Sequence, residues 1–455
     1  METLELDDIQ GLVRHGYPYF RVADYLLLRF DDPAGAKEWL KKLRRELWLD
    51  SARLHAKQIR EEYCGFAIAF TAAGLLKLGI REEDMHSFVI EFQEGMAAEH
   101  RSRLLCDVEE NAPGRWRWGA GDDLHALLIV FSVPELLEQP DRKDPTDQIE
   151  RIPGCPAILR RLTGVTQSFE PFGFADGMSQ PFVEGFARTR PPPGIRAVKA
   201  GEFVLGYLNE FGGYPASPSV EMDDRARGLL RERADGRADF GRNGSFLVMR
   251  QLEQHVDKFK AFVAGDEHLA ARMVGRWKNG SDLVRHGNAG VRKGDMRDLV
   301  VENDFGYHRE DRHGFRCPVG AHIRRANPRD ALADDAGISS EEAQALVDRH
   351  RILRRGRVYG GGDEEGLLFL CLNANIERQF EFVQSAWLMN PEFGGLKGET
   401  DPLLGYCADG ATRSMTCQHP RMARRVDGLG RFVTVRGGAY FFVPGLKAID
   451  YLTRL

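Results

Sequence analysis

The same succession of short apolar runs and amphipathic helical segments occurs twice along this chain, and it limits the fold more than any other feature. In the first occurrence, ADYLLLRF (23–30), CGFAIAF (64–70) and HALLIVFSV (125–133) have the continuous apolar character of buried strands. Helical spacing follows the first two runs, in PAGAKEWLKKLRREL from Pro33 and in TAAGLLKLG from Thr71. Strand, helix, strand, helix, strand is the skeleton of a ferredoxin-like α+β unit.

The second occurrence has the same order. SFLVMRQL (245–252) and GLLFLCLNA (366–374) are predicted strands, and each is followed by a segment of helical spacing. RFVTVRGGAYFFVPG (431–445) has the signature of a two-strand hairpin, with Gly437-Gly438 in its turn. We therefore predict an α+β chain of two ferredoxin-like domains with antiparallel sheets.

A proline-rich passage separates the two occurrences. RTRPPPGIRAVKAG (188–201) is the candidate linker, because proline and glycine clusters mark turns and loops. We place the first domain at 1–195 and the second at 196–455. A chain of 455 residues is long enough for two such domains and for an internal cavity that holds a cofactor.

Composition excludes several classes of protein. The net charge of −5 lacks the basic excess of a nucleic-acid binder. Seven cysteines without a CxxC pair argue against a zinc ribbon or a disulfide framework, and they favour a reducing compartment. The start METLELDDIQG is acidic where a signal peptide is basic, and the longest apolar run is too short to cross a bilayer. We expect a cytoplasmic protein with no nucleic-acid or membrane partner.

The segment Gly173-Phe-Ala-Asp176-Gly177 is the first that could carry chemistry. Asp-Gly is a common turn dipeptide, so a surface turn is one interpretation. In the functional interpretation, the glycines let the backbone approach a flat ligand, and Asp176 holds a carboxylate over it. Phe172 and Phe174 would form apolar walls.

His322 is a candidate metal ligand. Gly320 and Ala321 precede it and are small enough to let a porphyrin approach, and neutral imidazole is the commonest protein ligand of haem iron. Cys317 precedes Pro318 and is a competing ligand, because Cys-Pro motifs bind haem through a thiolate in sensor proteins. We prefer His322.

Arginines are abundant near both segments. Arg324, Arg325 and Arg329 follow His322 closely, and we expect them to bind the carboxylates of a porphyrin. Further along, Arg354 belongs to the segment RILRRGRVYG (351–360). An exposed basic strand is one interpretation of that segment; the other places a guanidinium where it stabilises developing negative charge on oxygen.

Taken together, these segments resemble the dye-decolourising (DyP-type) haem peroxidases. The GxxDG signature of that family matches 173–177, its proximal-histidine segment matches GAHIRRANPR (320–329), and its distal-arginine pattern matches 354–360. The resemblance covers nearly the whole chain and is closer to the longer, loop-rich members. Smaller familial stretches are DIQG (8–11), GEFVLGYLNE (201–210), GRNGSFLVMRQLEQ (241–254) and FLCLNANIERQFEFVQ (369–384).

The resemblance implies haem b, held mainly by the second domain with His322 as the axial ligand of iron. Hydrogen peroxide would then be reduced with Asp176 as the proton carrier and Arg354 as the stabiliser of negative charge. Two one-electron oxidations of dyes, phenols or other organic reductants would follow. A haem-handling (deferrochelatase-like) role, or a haem sensor or carrier that uses Cys317, is the alternative.

A proximal histidine usually donates its second ring N–H to a carboxylate or carbonyl group. Glu377, Glu381 and Asp304 are candidates, and we prefer Glu381.

Bulky dyes would be too large for the cavity and would need an electron route to the surface. Trp116 and Trp118 alternate with charged residues, which suggests exposure, and together with Tyr359 they are the candidates for that route.

Overall fold

Antiparallel strands dominate the structure, a computed structural model that describes residues 3–46, 49, 51–53, 64–133, 144–187, 191, 195–287, 303–360, 364–406 and 412–455. Four strands of the first half form a sheet in the order β4-β1-β3-β2. The middle of β1 is buried on both faces, which explains the apolar run in its sequence. The strands are β1 (Val22–Arg29), β2 (Cys64–Phe70), β3 (Ala126–Ser132) and β4 (Ala157–Val165).

The second half repeats this arrangement. Its sheet has the order β8-β5-β7-β6, which is again fourth, first, third, second in chain order. This is the strand order of the ferredoxin-like unit, and the predicted α+β fold is confirmed. The strands are β5 (Ser245–Gln254), β6 (Arg357–Gly360), β7 (Glu365–Asn373) and β8 (Val433–Val443), and the short strand Leu353–Arg354 also pairs with β7.

The two sheets meet at both edges and close into a barrel. Val358 and Tyr359 of β6 pair with β4, and Phe442 of β8 pairs with Phe70 of β2. Alternate residues such as Leu247 and Met249 fill the interior of the barrel. Residues between them pack outward, so each strand contributes to two cores.

Helices and loops cover the outside of the barrel. The segment predicted as a helix after β7 consists of two π-helices, Glu377–Glu381 and Val383–Leu388. Among the described residues, no helix is long and apolar enough to cross a membrane. The α-helices are Gly11–Arg14, Pro33–Glu46, Ala72–Lys77, Glu82–Met85, Ile90–Glu94, Glu99–Leu104, Pro145–Glu150, Val256–Val263, Glu267–Val274, Leu283–His286, Tyr307–Asp311, His322–Ala326, Ala333–Ala336, Ser340–Asp348 and Leu446–Leu452.

Smaller elements complete the chain. Much of the proposed linker at 188–201 lies outside the described residues, so the domain boundary stays a prediction. The 3₁₀-helices are Glu109–Asn111, Pro113–Arg115, Ala200–Glu202 and Phe393–Gly395. The minor sheets pair Phe182–Val183 with Ala197–Val198, Arg413–Cys417 with Arg424–Leu429, and Ala238–Asp239 with both Ser219–Val220 and Arg231–Glu232.

The predicted hairpin at 431–445 is wrong. The segment is one continuous strand, β8, with a bulge opposite Gln251. Gly437 is there for close approach rather than for a turn, because an added Cβ would lie 2.4 Å from Nε1 of Trp118. Gly438 similarly leaves room for Met96.

Candidate active site

A cavity of about 280 Å³ lies against the outer face of the second sheet. Its floor is formed by outward residues of β5, β7 and β8, and loops from both halves close it. Most of the lining is apolar, with a few charged groups among the aliphatic and aromatic side chains. The lining includes Leu105, Phe172, Phe174, Asp176, Arg250, Leu252, Arg276, His322, Ile323, Arg351, Arg354, Leu367, Phe369, Phe380, Leu388, Leu403, Val433 and Val435.

His322 is the imidazole of this cavity and begins a short helix. Its Nδ1 lies 2.9 Å from Oδ2 of Asp401, whose side chain is fully buried. Oδ1 of Asp401 accepts the backbone N–H groups of Leu403 and Leu404. A buried carboxylate acceptor assigns the ring proton to Nδ1, so Nε2 presents a lone pair that can ligate a metal.

The environment of Asp401 favours its charged form. Burial alone would raise the pKa of this carboxyl group, but His322 and the Leu404 amide outweigh burial and lower the pKa. Glu381 does not fill this role: it accepts hydrogen bonds from Arg101 and from Tyr440. The prediction of Glu381 is therefore wrong. Local spacing could not identify Asp401, which lies in a loop 79 residues from His322.

Cys317 lies behind the cavity wall and is buried. Its Sγ is 3.9 Å from the carbonyl oxygen of Gly275. Burial is the main cause that raises the pKa of the thiol, to about 12, so the group stays protonated at neutral pH. A buried neutral thiol outside the cavity lining is a poor metal ligand, which favours His322 over Cys317.

Asp176 and Arg354 lie together in the cavity. Nη1 of Arg354 is 3.6 Å from Oδ1 of Asp176, and the same oxygen accepts the N–H of Gly177 at 2.6 Å. Gly173 and Gly177 have φ of +93° and +75°, the left-handed region that glycine tolerates best. The functional interpretation of the Gly173–Gly177 segment is thus supported by its position.

Glu170 fixes the loop before Asp176, and sequence reasoning missed it. Its carboxylate accepts the N–H of Phe172 at 3.0 Å, the N–H of Phe174 at 2.9 Å and Nε2 of Gln254 at 2.6 Å. Gln254 is the last residue of β5, so its hydrogen bond to Glu170 ties the loop to the floor of the cavity. Burial is the main cause that raises the pKa of Glu170, and its donors only partly offset burial. An acidic residue just before the GxxDG segment was the only available signal.

The two adjacent arginines, Arg354 and Arg355, have different surroundings. Arg355 donates to the carbonyl oxygens of Leu12, Val13 and Arg14 at 2.9 to 3.1 Å, and it ties the N-terminal segment to the barrel. Of the two, Arg354 lines the cavity and Arg355 does not. The catalytic role of Arg354 stays a prediction.

The arginines after His322 are placed differently from the expectation. Arg324 donates to the carbonyl oxygens of Asp311 and Cys317. Arg325 donates to those of Gly320, Trp387, Asn390 and Glu399. Both are buried outside the cavity lining, so the structure gives no support to their assignment to porphyrin carboxylates. The sequence shows that cations are near His322 but not which way their side chains point.

Arg329 lies at a second cavity of about 400 Å³ rather than at the first. It donates to the carbonyl oxygens of Asn303 and Phe305 and stacks on the Phe305 ring. Its contacts are therefore with neutral oxygens of the protein, and the expected contact with a porphyrin carboxylate gains no support here.

The expected exposure of the two indoles is wrong. Trp116 and Trp118 are 9% and 8% exposed, because each N–H is paired inside the protein. Nε1 of Trp116 donates to the carbonyl of Asn111, and Nε1 of Trp118 donates to Oε1 of Gln251 in the barrel. Tyr359 is also buried, and its hydroxyl donates to Glu364.

Comparisons with known proteins agree with this geometry. The family model described as Dyp-type peroxidase, C-terminal, matches residues 216–418. The multifunctional dye peroxidase DyP2 of an Amycolatopsis species is 33% identical over 98% of this chain and 96% of its own length. The dye-decolorizing peroxidase AauDyP1 of Auricularia auricula-judae is 27% identical over 98% of this chain and 86% of its own length.

Solved structures give the same result. The structure of AauDyP complexed with imidazole matches with a TM-score of 0.78 at 26% identity, over 99% of this chain and 100% of that one. A dye-decolorizing peroxidase with a heme pocket engineered for asymmetric sulfoxidation matches with a TM-score of 0.80 at 26% identity, over 99% and 100%.

Proposed function

This chain belongs to the family of DyP-type, dye-decolourising peroxidases, which are haem enzymes, and from that premise we propose how its own residues carry the reaction. The chain is a peroxidase, an oxidoreductase with peroxide as the electron acceptor. We propose haem b as the cofactor, His322 as the residue that would ligate its iron, and Asp176 with Arg354 as the catalytic pair. Hydrogen peroxide and organic reductants such as dyes and phenols are the proposed substrates.

The cavity fits a flat, mainly apolar group that carries a metal and acid groups. Aliphatic and aromatic side chains form most of its lining, and arginines lie at its wall. Nε2 of His322 has no hydrogen-bond partner among the described residues, whereas Nδ1 is fixed by Asp401. Haem has these properties, and when bound it supplies the electrons that reduce peroxide and then oxidises reductants one electron at a time.

The roles of the catalytic pair follow from their contacts. Oδ1 of Asp176 is fixed by the Gly177 amide and the Arg354 guanidinium, which leaves Oδ2 to accept and return a proton of the peroxide. The guanidinium of Arg354 accepts no proton and stabilises the negative charge that develops on oxygen. Phe172 and Phe174 exclude water beside them, which strengthens both interactions.

One observation carries the proposal: a carboxylate-bound imidazole and a carboxylate–guanidinium pair line the same apolar cavity. It is tested by absorption spectra of the purified protein before and after peroxide addition. We expect a Soret band that changes with peroxide and recovers with a reducing dye. His322→Ala should purify with little haem, while Cys317→Ala should keep it. Normal haem content in His322→Ala, or no response to peroxide in the wild type, would contradict the proposal.

A further inference from the structure

Four arginines form a wall beside the candidate active site: Arg276, Arg329, Arg351 and Arg354, called here the arginine wall. Arg276 and Arg354 line the main cavity, Arg329 lines the second cavity, and Arg351 lines both. Guanidinium groups stay charged in proteins, so a buried group of them needs anions or many acceptors nearby. The hydrogen-bond partners of each guanidinium group therefore show which arginine has room to bind an anionic ligand.

Two members of the wall donate hydrogen bonds to neutral oxygens. Arg276 donates to the carbonyl oxygen of Gly280 at 2.7 Å and to Oδ1 of Asn303 at 2.8 Å. Arg329 donates to the same Oδ1 and to carbonyl oxygens of Asn303 and Phe305. The Phe305 ring packs against both guanidinium groups. These contacts hold Arg276 and Arg329 in place without a ligand.

Arg351 is different. Only 17% of its side chain is exposed, yet its guanidinium makes no hydrogen bond with any described residue. The nearest carboxylate oxygen is Oδ1 of Asp348, 3.8 Å away, which is beyond hydrogen-bond distance. Burial is the main cause that lowers the pKa of Arg351; the charge of Asp348 opposes burial without cancelling it, and the charge of Arg354 adds to the lowering.

The position of Arg351 indicates the kind of ligand. It lies with Ser179 between the apolar main cavity and the polar second cavity. A flat group that fills the main cavity and has carboxylates along one edge would bring one of them to this boundary. Guanidinium binds carboxylates through two parallel hydrogen bonds, so one carboxylate would supply the missing acceptors.

We propose that Arg351 binds a carboxylate of the haem and so sets the orientation of the group, with its acid edge toward the second cavity. This rests on the proposed function, in which the main cavity holds haem. It assigns to Arg351 the role that the sequence suggested for Arg324 and Arg325. Both of those side chains are engaged by backbone carbonyl oxygens elsewhere.

The first test measures haem loss from the holoenzyme to an excess of apomyoglobin. Arg351→Met keeps the length of the side chain and removes its charge, so we expect haem loss at least about tenfold faster, as for a lost charge-assisted hydrogen bond. Arg309→Met is the matched control, because Arg309 lines the second cavity but is paired with Asp330. Its haem loss should stay within about twofold of the wild type.

The second test uses the haem-free full chain with iron protoporphyrin IX and its dimethyl ester. The wild type should bind the free acid about tenfold or more tightly than the ester. Arg351→Met should have a clearly smaller ratio of the two affinities than the wild type, and Arg351→Lys, which keeps the charge, should give an intermediate ratio. If Arg351→Met does not fold, the proposal is tested by the ratio of acid to ester affinity in the wild type and in Arg351→Lys alone.

Two results would overturn the proposal: a wild type that does not distinguish acid from ester, or an Arg351 variant that keeps the wild-type ratio. The second result includes an equal loss of affinity for both porphyrins, which means general damage to the cavity. Failure of the proposed function is distinguishable, since the wild-type chain would then bind neither porphyrin.

Discussion

His322 and Asp401 form a hydrogen-bonded pair of 2.9 Å in which the carboxylate is completely buried and the imidazole faces the cavity. The helix that begins at His322 and the loop that holds Asp401 are far apart in the chain, and they meet because both pack on the π-helix Val383–Leu388. An imidazole held by a carboxylate is a more basic ligand than a free one, and its orientation is fixed.

We predict that Asp401→Asn raises the reduction potential of the haem iron, because a neutral amide makes the His322 ring less basic. Loss of such a partner typically lowers metal affinity or activity by about 10- to 100-fold. Spectroelectrochemical titration measures the potential. Glu381→Gln is the control: it weakens a buried network with Arg101 and Tyr440 and should lower thermal stability without changing the potential. A shift in the control alone would favour Glu381 as the partner.

Arg354→Leu and Arg355→Leu should separate catalysis from stability. Arg354 lies beside Asp176, and its loss should slow the reaction with peroxide by about 10²- to 10³-fold, as for other preorganised donors. Arg355 holds the N-terminal segment, so its loss should lower the free energy of unfolding by about 2–4 kcal/mol with little effect on that reaction. Stopped-flow mixing and denaturant titration measure the two effects. If Arg355→Leu slowed the reaction with peroxide and Arg354→Leu mainly lowered stability, Arg355 would be the catalytic arginine and Arg354 the structural one.

Glu170 should make stability depend on pH. Its pKa is raised in the folded chain, mainly by burial, so between its unfolded pKa of about 4.3 and the raised value the folded state binds more protons. Its contribution to the free energy of unfolding therefore falls as the pH rises through this window. Glu170→Gln removes the titration, and the stability of this variant relative to the wild type should increase with pH. Denaturant titrations from pH 4 to 8 measure the difference, and a constant difference would contradict the prediction.

Most of the long strands were predictable because continuous apolar runs report burial directly. β1, β2, β3, β5 and β7 are long buried strands, and all of them were found. β4 was missed because polar residues interrupt its apolar pattern: its sequence is AILRRLTGV, in which Arg161 is exposed. A strand was one interpretation of the segment that contains β6, but β6 is mostly buried rather than exposed. Gly437 was misread because a glycine for close approach has the same sequence signature as a glycine in a turn.

The residues of the candidate site also fall into two groups, those that the sequence could indicate and those that it could not. His322, Asp176 and Arg354 belong to short motifs whose backbone spacing fixes their position, and the structure brings all three to one cavity. Asp401 and Arg351 acquire their partners through tertiary packing, so no local spacing indicates them. The direction of a long side chain is also not encoded locally, as the burial of Arg325 against backbone carbonyls demonstrates.

Gly437→Ala should destabilise the protein although it replaces glycine within a strand. The new Cβ would lie 2.4 Å from Nε1 of Trp118, whose ring is fixed by Gln251. Overpacking of this kind costs about 1–3 kcal/mol. Gly430→Ala is the control, because no atom lies within 4 Å of its added Cβ. Thermal unfolding of both variants measures the effect, and equal melting temperatures would show that Trp118 can move aside.

The two indoles should differ in their effect on bulky dyes. Trp116 is buried beside the main cavity, since Asn111, whose carbonyl oxygen accepts its N–H, lines that cavity. Trp118 faces the interior of the barrel and binds Gln251. We predict that Trp116→Phe lowers turnover of a bulky anthraquinone dye severalfold and leaves turnover of a small phenol unchanged, because only the dye depends on electron transfer through the protein. Trp118→Phe should lower the melting temperature and affect both substrates alike. Steady-state turnover of the two substrates by each variant tests this, and parallel losses in Trp116→Phe would show that its indole is structural.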